Sequence, residues 1–202
     1  FSQPHENEMY ILLLEKAFAK ISGSYSKLDG GFPALAWIVL TGCQNIEYWV
    51  KEKNYWGKSI IVGNKKDPWN FQKPMGYVTR DKSTHDSMFL YLKQCDTKNY
   101  LMSCAIHGEV MEKERQDGLV ERHAYTLLQV YQKNTIKIIK IRNPWSVGEC
   151  NLDWSDNSLK WKEHPDIAQE VNFTSENDGT FWISWQNFLD IFDEVQIVCK
   201  SF

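Results

Sequence analysis

The sequence predicts an α+β fold: a twisted antiparallel sheet of about six strands, the usual sheet size, flanked by a few helices. Three observations predict it. Two β-patterned runs, Ala124 to Tyr131 and Ile136 to Ile141, flank a tight turn at Lys133-Asn134-Thr135 and read as a hairpin. Helical periodicity appears in separate stretches near the start, after Ser83 and after Ser184. Further strand-like runs lie between them. Of 202 residues, 43% are hydrophobic and 14% aromatic, enough for one core of generous size.

From the N-terminal end, Asn7 is placed to cap a helix through Ser22, with apolar residues at Met9, Leu13, Ala17 and at Leu14, Phe18, Ile21. Lys16 and Lys20 suit its C-terminal dipole, and Gly23 stops it. Asp29-Gly30-Gly31 with Pro33 forms a turn. The apolar run Leu35 to Leu40 has no clear type and ends at Gly42. Asn45 to Lys51 reads as a strand. Lys51 to Lys82, charged and rich in Gly, Pro and Trp, reads as short strands joined by surface loops.

Ser83 with Asp86 resembles a capping box for a helix that buries Met88, Phe89, Leu92 and Cys95. Tyr100 to His107 is a strand candidate, and Gly108 to Gln116 a charged surface loop. In Ile139-Lys140-Ile141 the alternation of the second hairpin strand shifts phase, which suggests a bulge. Asn143 to Asn172 reads mostly as loop with buried tryptophans. Thr180 to Ile183 is a strand, Ser184 caps a helix through Phe192, and Glu194 to Cys199 closes the chain as a strand.

Charge and cysteine usage narrow the function classes. A net charge of −3 offers nothing to a phosphate backbone, so a nucleic-acid partner is not expected. No apolar run is long enough for a membrane span, and the first residues lack the pattern of a signal peptide. The five cysteines are widely spaced without a CxxC pair, which predicts reduced thiols in a cytoplasmic setting. The abrupt helical start without Met predicts a piece of a longer protein.

The hairpin carries the candidate chemistry. Pairing of its strands returns His123, at the start of the first, and Asn143, at the end of the second, to one end of the sheet. A thiol nucleophile needs a base that titrates near neutral pH, which is what imidazole offers. The imidazole needs a third group to fix its tautomer, and an amide oxygen does so without adding charge. From spacing alone, His123 reads equally as a hydrogen-bonded structural residue.

The local wording goes further. Gly118-Leu119-Val120 with His123-Ala124-Tyr125, Arg142-Asn143-Pro144-Trp145, Trp154-Ser155-Asp156 with Trp161, and Asp178-Gly179-Thr180-Phe181-Trp182-Ile183-Ser184 resemble segments of the calpain family of cysteine proteases, in the family's order. Leu14 to Lys20, Gly23-Ser24-Tyr25 and Leu28-Asp29-Gly30-Gly31 resemble the helix and turn that link the halves of that catalytic core. The likeness spans nearly the whole chain and is weakest over Lys51 to Lys82. Thr41-Gly42-Cys43 stands where two glycines are common, and Arg122 where many members have glycine.

The resemblance implies the second half of a papain-like core as one domain, 1–202, with 1–31 as connecting helix and turn and 32–202 as the sheet unit. It implies that His123 is the general base and Asn143 its orienting partner. Trp145 would shield their hydrogen bond, although it also reads as a core tryptophan after a turn proline. The family's nucleophile sits in a Gly-x-Cys-Trp context that none of the five cysteines has. The chain is therefore expected to be inactive alone and to need an N-terminal half that carries the cysteine. The implied activity is calcium-dependent, limited cleavage of protein substrates.

For the ion, the resemblance implies Glu149, Asp156, Asp178 and the Glu176 carbonyl as Ca²⁺ ligands, with Thr180 in place of a further acid and a correspondingly weakened site. Without the resemblance, the three acids read as solvated loop residues. The alternative function is a non-catalytic scaffold or interaction module of the same fold. A plain metal-binding protein is disfavoured, because no clustered His or Cys spacing occurs.

Overall fold

The computed structural model describes residues 9–43, 45–62 and 76–200. Among these, eight strands form one antiparallel sheet: β1 (Ile46–Lys51), β2 (Trp56–Val62), β3 (Gly76–Ser83), β4 (Leu101–Ile106), β5 (His123–Lys133), β6 (Ile136–Arg142), β7 (Thr180–Ser184) and β8 (Glu194–Val198). Their order is β3-β2-β1-β8-β4-β5-β6-β7. The α+β class and the antiparallel sheet agree with the sequence reading. The expected six strands become eight, because the Gly- and Trp-rich stretch after Lys51 supplies two strands at one end of the sheet, β2 and the edge strand β3.

The hairpin forms as its sequence predicts. Asn134 adopts a left-handed backbone (φ 52°) in the turn that joins Lys133 to its partner Ile136. The phase shift has a different origin from the expected bulge in β6. The register slips in β5, between Leu127 and Gln129. Ile138 and Ile139 are both fully buried because β6 is covered on both faces. A strand sandwiched this way has no solvent face to mark with polar residues.

Helices cover both sides: α1 (Tyr10–Ser22), α2 (Pro33–Thr41), α3 (His85–Thr97), α4 (Lys160–Glu163), α5 (Pro165–Glu170) and α6 (Trp185–Ile191). Met88, Phe89, Leu92 and Cys95 of α3 and Trp185, Phe188 and Ile191 of α6 bury against one face. On the other face, α2 packs Ala34 and Leu35 onto Ile46, Ile61 and Val198, while α4 and α5 close over Ile138 and Trp182 with Trp161 and Ile167.

Several local expectations are corrected. The ambiguous run before Gly42 is α2, opened by Pro33 at its first turn and closed by left-handed Gly42. The cap of α3 is Thr84, whose hydroxyl accepts from Ser87 N–H, rather than Ser83. The stretch after Asn143 contains two short helices. The apolar stripe of α1 stays largely exposed, with only Ala19 buried. Its expected cap, Asn7, lies outside the described residues. Ser184 does cap α6, accepting from Asn187 N–H at 3.1 Å.

Candidate functional site

Strand registers build the floor of a cleft. Trp49, Val195, Cys104 and Tyr125 stand side by side on neighbouring strands and face the main core. Their sequence neighbours Tyr48, Gln196, Glu194, Ala105 and Ala124 therefore face the other way. They line a cavity of about 690 Å³ with Gly31, Pro33, Met111, Arg122, His123 and Pro144.

At one rim of this cavity, His123 Nε2 and Asn143 Oδ1 are 2.9 Å apart. Their proximity follows from the hairpin, since β5 begins at His123 and β6 ends one residue before Asn143. The amide orientation is fixed by two further bonds: Oδ1 accepts from Trp145 N–H at 3.1 Å, and Nδ2 donates to Gly148 O at 3.1 Å. With the oxygen facing His123, Nε2 carries the proton and Nδ1 is the basic nitrogen. Asn143 is fully buried and His123 nearly so.

The His123 ring is held on two sides. Trp145 lies 4.4 Å away, centroid to centroid, and Tyr125 meets it edge-on at 4.9 Å. Trp145 is 44% exposed, so it lies against the ring at the surface instead of filling the core. Tyr125 was not singled out in the sequence as a site residue. Buried, it accepts Val120 N–H at 2.8 Å and so ties the 107–122 loop to the ring's support. Arg122 has a left-handed backbone (φ 50°), a conformation that suits glycine.

All five cysteines are free thiols, and none lines the His123 cavity. Burial pushes Cys95 and Cys150 up to about 11 and Cys199 to about 12, and it also raises fully buried Cys104 well above the usual thiol value. A nucleophilic thiol needs the opposite shift. Cys43 packs under α2 with Ala34 and Leu35, on the side of the sheet that α2 covers.

The acids assigned to calcium gather on two neighbouring loops, but each ligand already has a protein partner. Glu149 Oε1 accepts Gly179 N–H at 2.8 Å, Asp156 Oδ2 accepts Glu176 N–H at 2.9 Å, and Asp178 Oδ1 accepts Thr180 N–H at 2.7 Å. The Glu176 carbonyl accepts Asp178 N–H at 2.8 Å. Burial and then the charge of Glu149 push Asp156 up to about 6, with Asp178 adding to the effect. Among the described residues no three His, Cys, Asp or Glu side chains converge on a point where an ion could sit. Calcium asks for about 6–8 oxygens, so this arrangement does not fit it.

A second polar group in the cleft escaped the sequence reading. Glu194 accepts from Tyr48 Oη at 2.6 Å, Gln196 Nε2 at 2.9 Å and His107 Nε2 at 3.0 Å. Burial pushes the Glu194 carboxyl up, but the three donors outweigh it and hold it below the usual value of 4.5. The Glu194 bond raises His107 above 6.5 against partial burial, with Asp193 assisting and Lys51 opposing.

The signs of these two shifts set a pH window. The His107 contribution is complete below 6.5 and is lost as pH rises through the raised value. The Glu194 contribution is complete above 4.5 and is lost as pH falls through the lowered one. His107→Ala should therefore lower Tm most near pH 5.5, by about 2 °C for a half-exposed imidazole, and least above pH 8. Thermal unfolding across pH 4–9 checks this, and a deficit independent of pH would refute it.

The family model described as "Calpain family cysteine protease" matches residues 1–200. Calpain-A of Drosophila melanogaster is 32% identical over 204 residues, covering 95% of this chain and 21% of that protein. Calpain of Schistosoma mansoni is 31% identical over 198 residues, covering 94% and 22%. Calpain-14 of Homo sapiens is 30% identical over 204 residues, covering 98% and 25%. The chain thus spans about a fifth to a quarter of the length of these relatives.

Proposed function

Because the chain belongs to the calpain family of cysteine proteases, we propose that it contributes the base and orienting amide of a thiol endopeptidase, His123 and Asn143, to a nucleophilic cysteine from another part of the catalytic core. The 2.9 Å contact between Nε2 and Oδ1 carries this reading. With Nε2–H held by the amide, Nδ1 takes the proton of the incoming thiol. The thiolate attacks the scissile carbonyl, and the imidazolium returns the proton to the leaving amine. Water then hydrolyses the thioester with His123 as base. Trp145 keeps solvent off the Nε2–Oδ1 bond throughout.

The substrates in this reading are proteins, held in the cleft over Tyr48, Ala105 and Ala124. Residues 1–31 act as the connection to the thiol-bearing half and 32–202 as the sheet unit. Five free thiols suit a reducing compartment, which favours the cytoplasm. No helix among the described residues is long and apolar enough to cross a membrane. The loops of Glu149, Asp156, Glu176 and Asp178 do not converge as a calcium cage, and Thr180 adds no carboxylate. Weak binding, outside the chemical step, is the expectation.

Peptide hydrolysis tests the reading. The chain alone should show no turnover of a fluorogenic peptide, and the chain joined to a calpain-type thiol-bearing half should show it. Turnover by the chain alone that vanishes with His123→Ala would overturn the donated-thiol part. A folded, joined protein that never cleaves would leave the non-catalytic scaffold.

A further inference from the structure

The acids that fail as a calcium cage surround the back of Asn143. Three hydrogen bonds close a ring there. Asn143 Nδ2 donates to Gly148 O at 3.1 Å. The next residue, Glu149, accepts Gly179 N–H on Oε1 at 2.8 Å. Gly179 O accepts Asn143 N–H at 2.8 Å. The ring is tightly packed: a Cβ on Gly179 would lie 2.8 Å from Ser146 Cα and 2.9 Å from Asn143 O. Asn143 is fully buried inside it, so its amide turns only if the ring opens.

We infer that Glu149 is a positioning residue, clamping Gly179 so that the Asn143 amide stays turned toward His123, and that it does so as a hydrogen-bond acceptor with no metal ion. This rests on reading Asn143 as the partner that orients His123. Asp178 and Asp156 stand outside the ring, since their N–H partners are Thr180 and Glu176. A calcium ligand at 149 would lose its negative charge, and with it most of its hold on the ion, in a glutamine variant. A clamp needs only an oxygen at the right reach, which glutamine supplies and the shorter aspartate does not.

Two conservative variants separate these roles. In the ¹⁵N-labelled chain, imidazole nitrogen shifts read the His123 tautomer, and hydrogen exchange reads the Gly179 amide. Glu149→Gln should keep the Nε2–H tautomer and Gly179 protection. Glu149→Asp should blur the tautomer and speed Gly179 exchange at least about tenfold, the loss of one charge-assisted bond. Added millimolar calcium should move neither reading in the unsubstituted chain.

Loss of either signal in Glu149→Gln, retention of both signals in both variants, or a tautomer in the unsubstituted chain that forms only with calcium overturns the clamp. None of these readings needs turnover. A failed clamp is thus distinguishable from a failed peptidase assignment, which the joined-protein assay reads separately.

Discussion

His123→Ala in the joined catalytic core is expected to cut kcat for peptide hydrolysis by about ten-thousandfold or more, with KM nearly unchanged. Without the imidazole the incoming thiol keeps its proton, and the leaving amine has no acid to protonate it. Loss of a member of an acyl-transfer triad typically has an effect of this size. Asn143→Ala should fall less far, roughly a hundredfold, because the base survives but its tautomer and ring plane are no longer fixed. Both variants change groups that act in the transition state, so the loss belongs in kcat. Steady-state kinetics beside a thermal melt checks this. A folded His123→Ala protein that retains a tenth of the activity would remove His123 from the mechanism.

Gly179→Ala is the structural counterpart and should destabilise the chain by about 3 kcal/mol, lowering Tm by about 6–12 °C. Two effects add. Gly179 sits at φ +83°, where a Cβ costs about 1 kcal/mol or more. The new methyl also meets backbone of Ser146 and Asn143 at 2.8–2.9 Å, and backbone cannot swing aside as a side chain could. Gly42 is the control: its φ is +67° but nothing lies within 4 Å of an added Cβ. Gly42→Ala should therefore show the conformational part alone. Equal Tm losses in the two variants would show that the Asn143 ring is not tightly packed.

Much of the fold was legible because local rules reached it. The hairpin turn, the buried face of α3 and the Ser184 cap each depend on residues a few positions apart. His123 and Asn143 were legible for the same reason, since one short turn brings the ends of their strands together. Tyr125 and Trp145 lie two positions from these residues; the resemblance implied a role for Trp145, but only the ring contacts single out Tyr125. The Tyr48–Glu194–His107–Gln196 group was not legible. Its members come from β1, β8 and the residue just after β4, far apart in sequence, and no spacing rule joins them.

Sequence alone determined the family, the α+β class, the local strand and helix patterns, and which imidazole and which amide could meet. Tertiary structure alone decided that the last strand, β8, inserts between β1 and β4, that the sheet is covered on both faces, and that the loop acids bond to backbone N–H groups instead of framing an ion. The physical reason is range. Periodicity, capping and turn chemistry act over a few residues, whereas strand order and the partner of a loop carboxylate depend on segments that become neighbours only when the chain has folded.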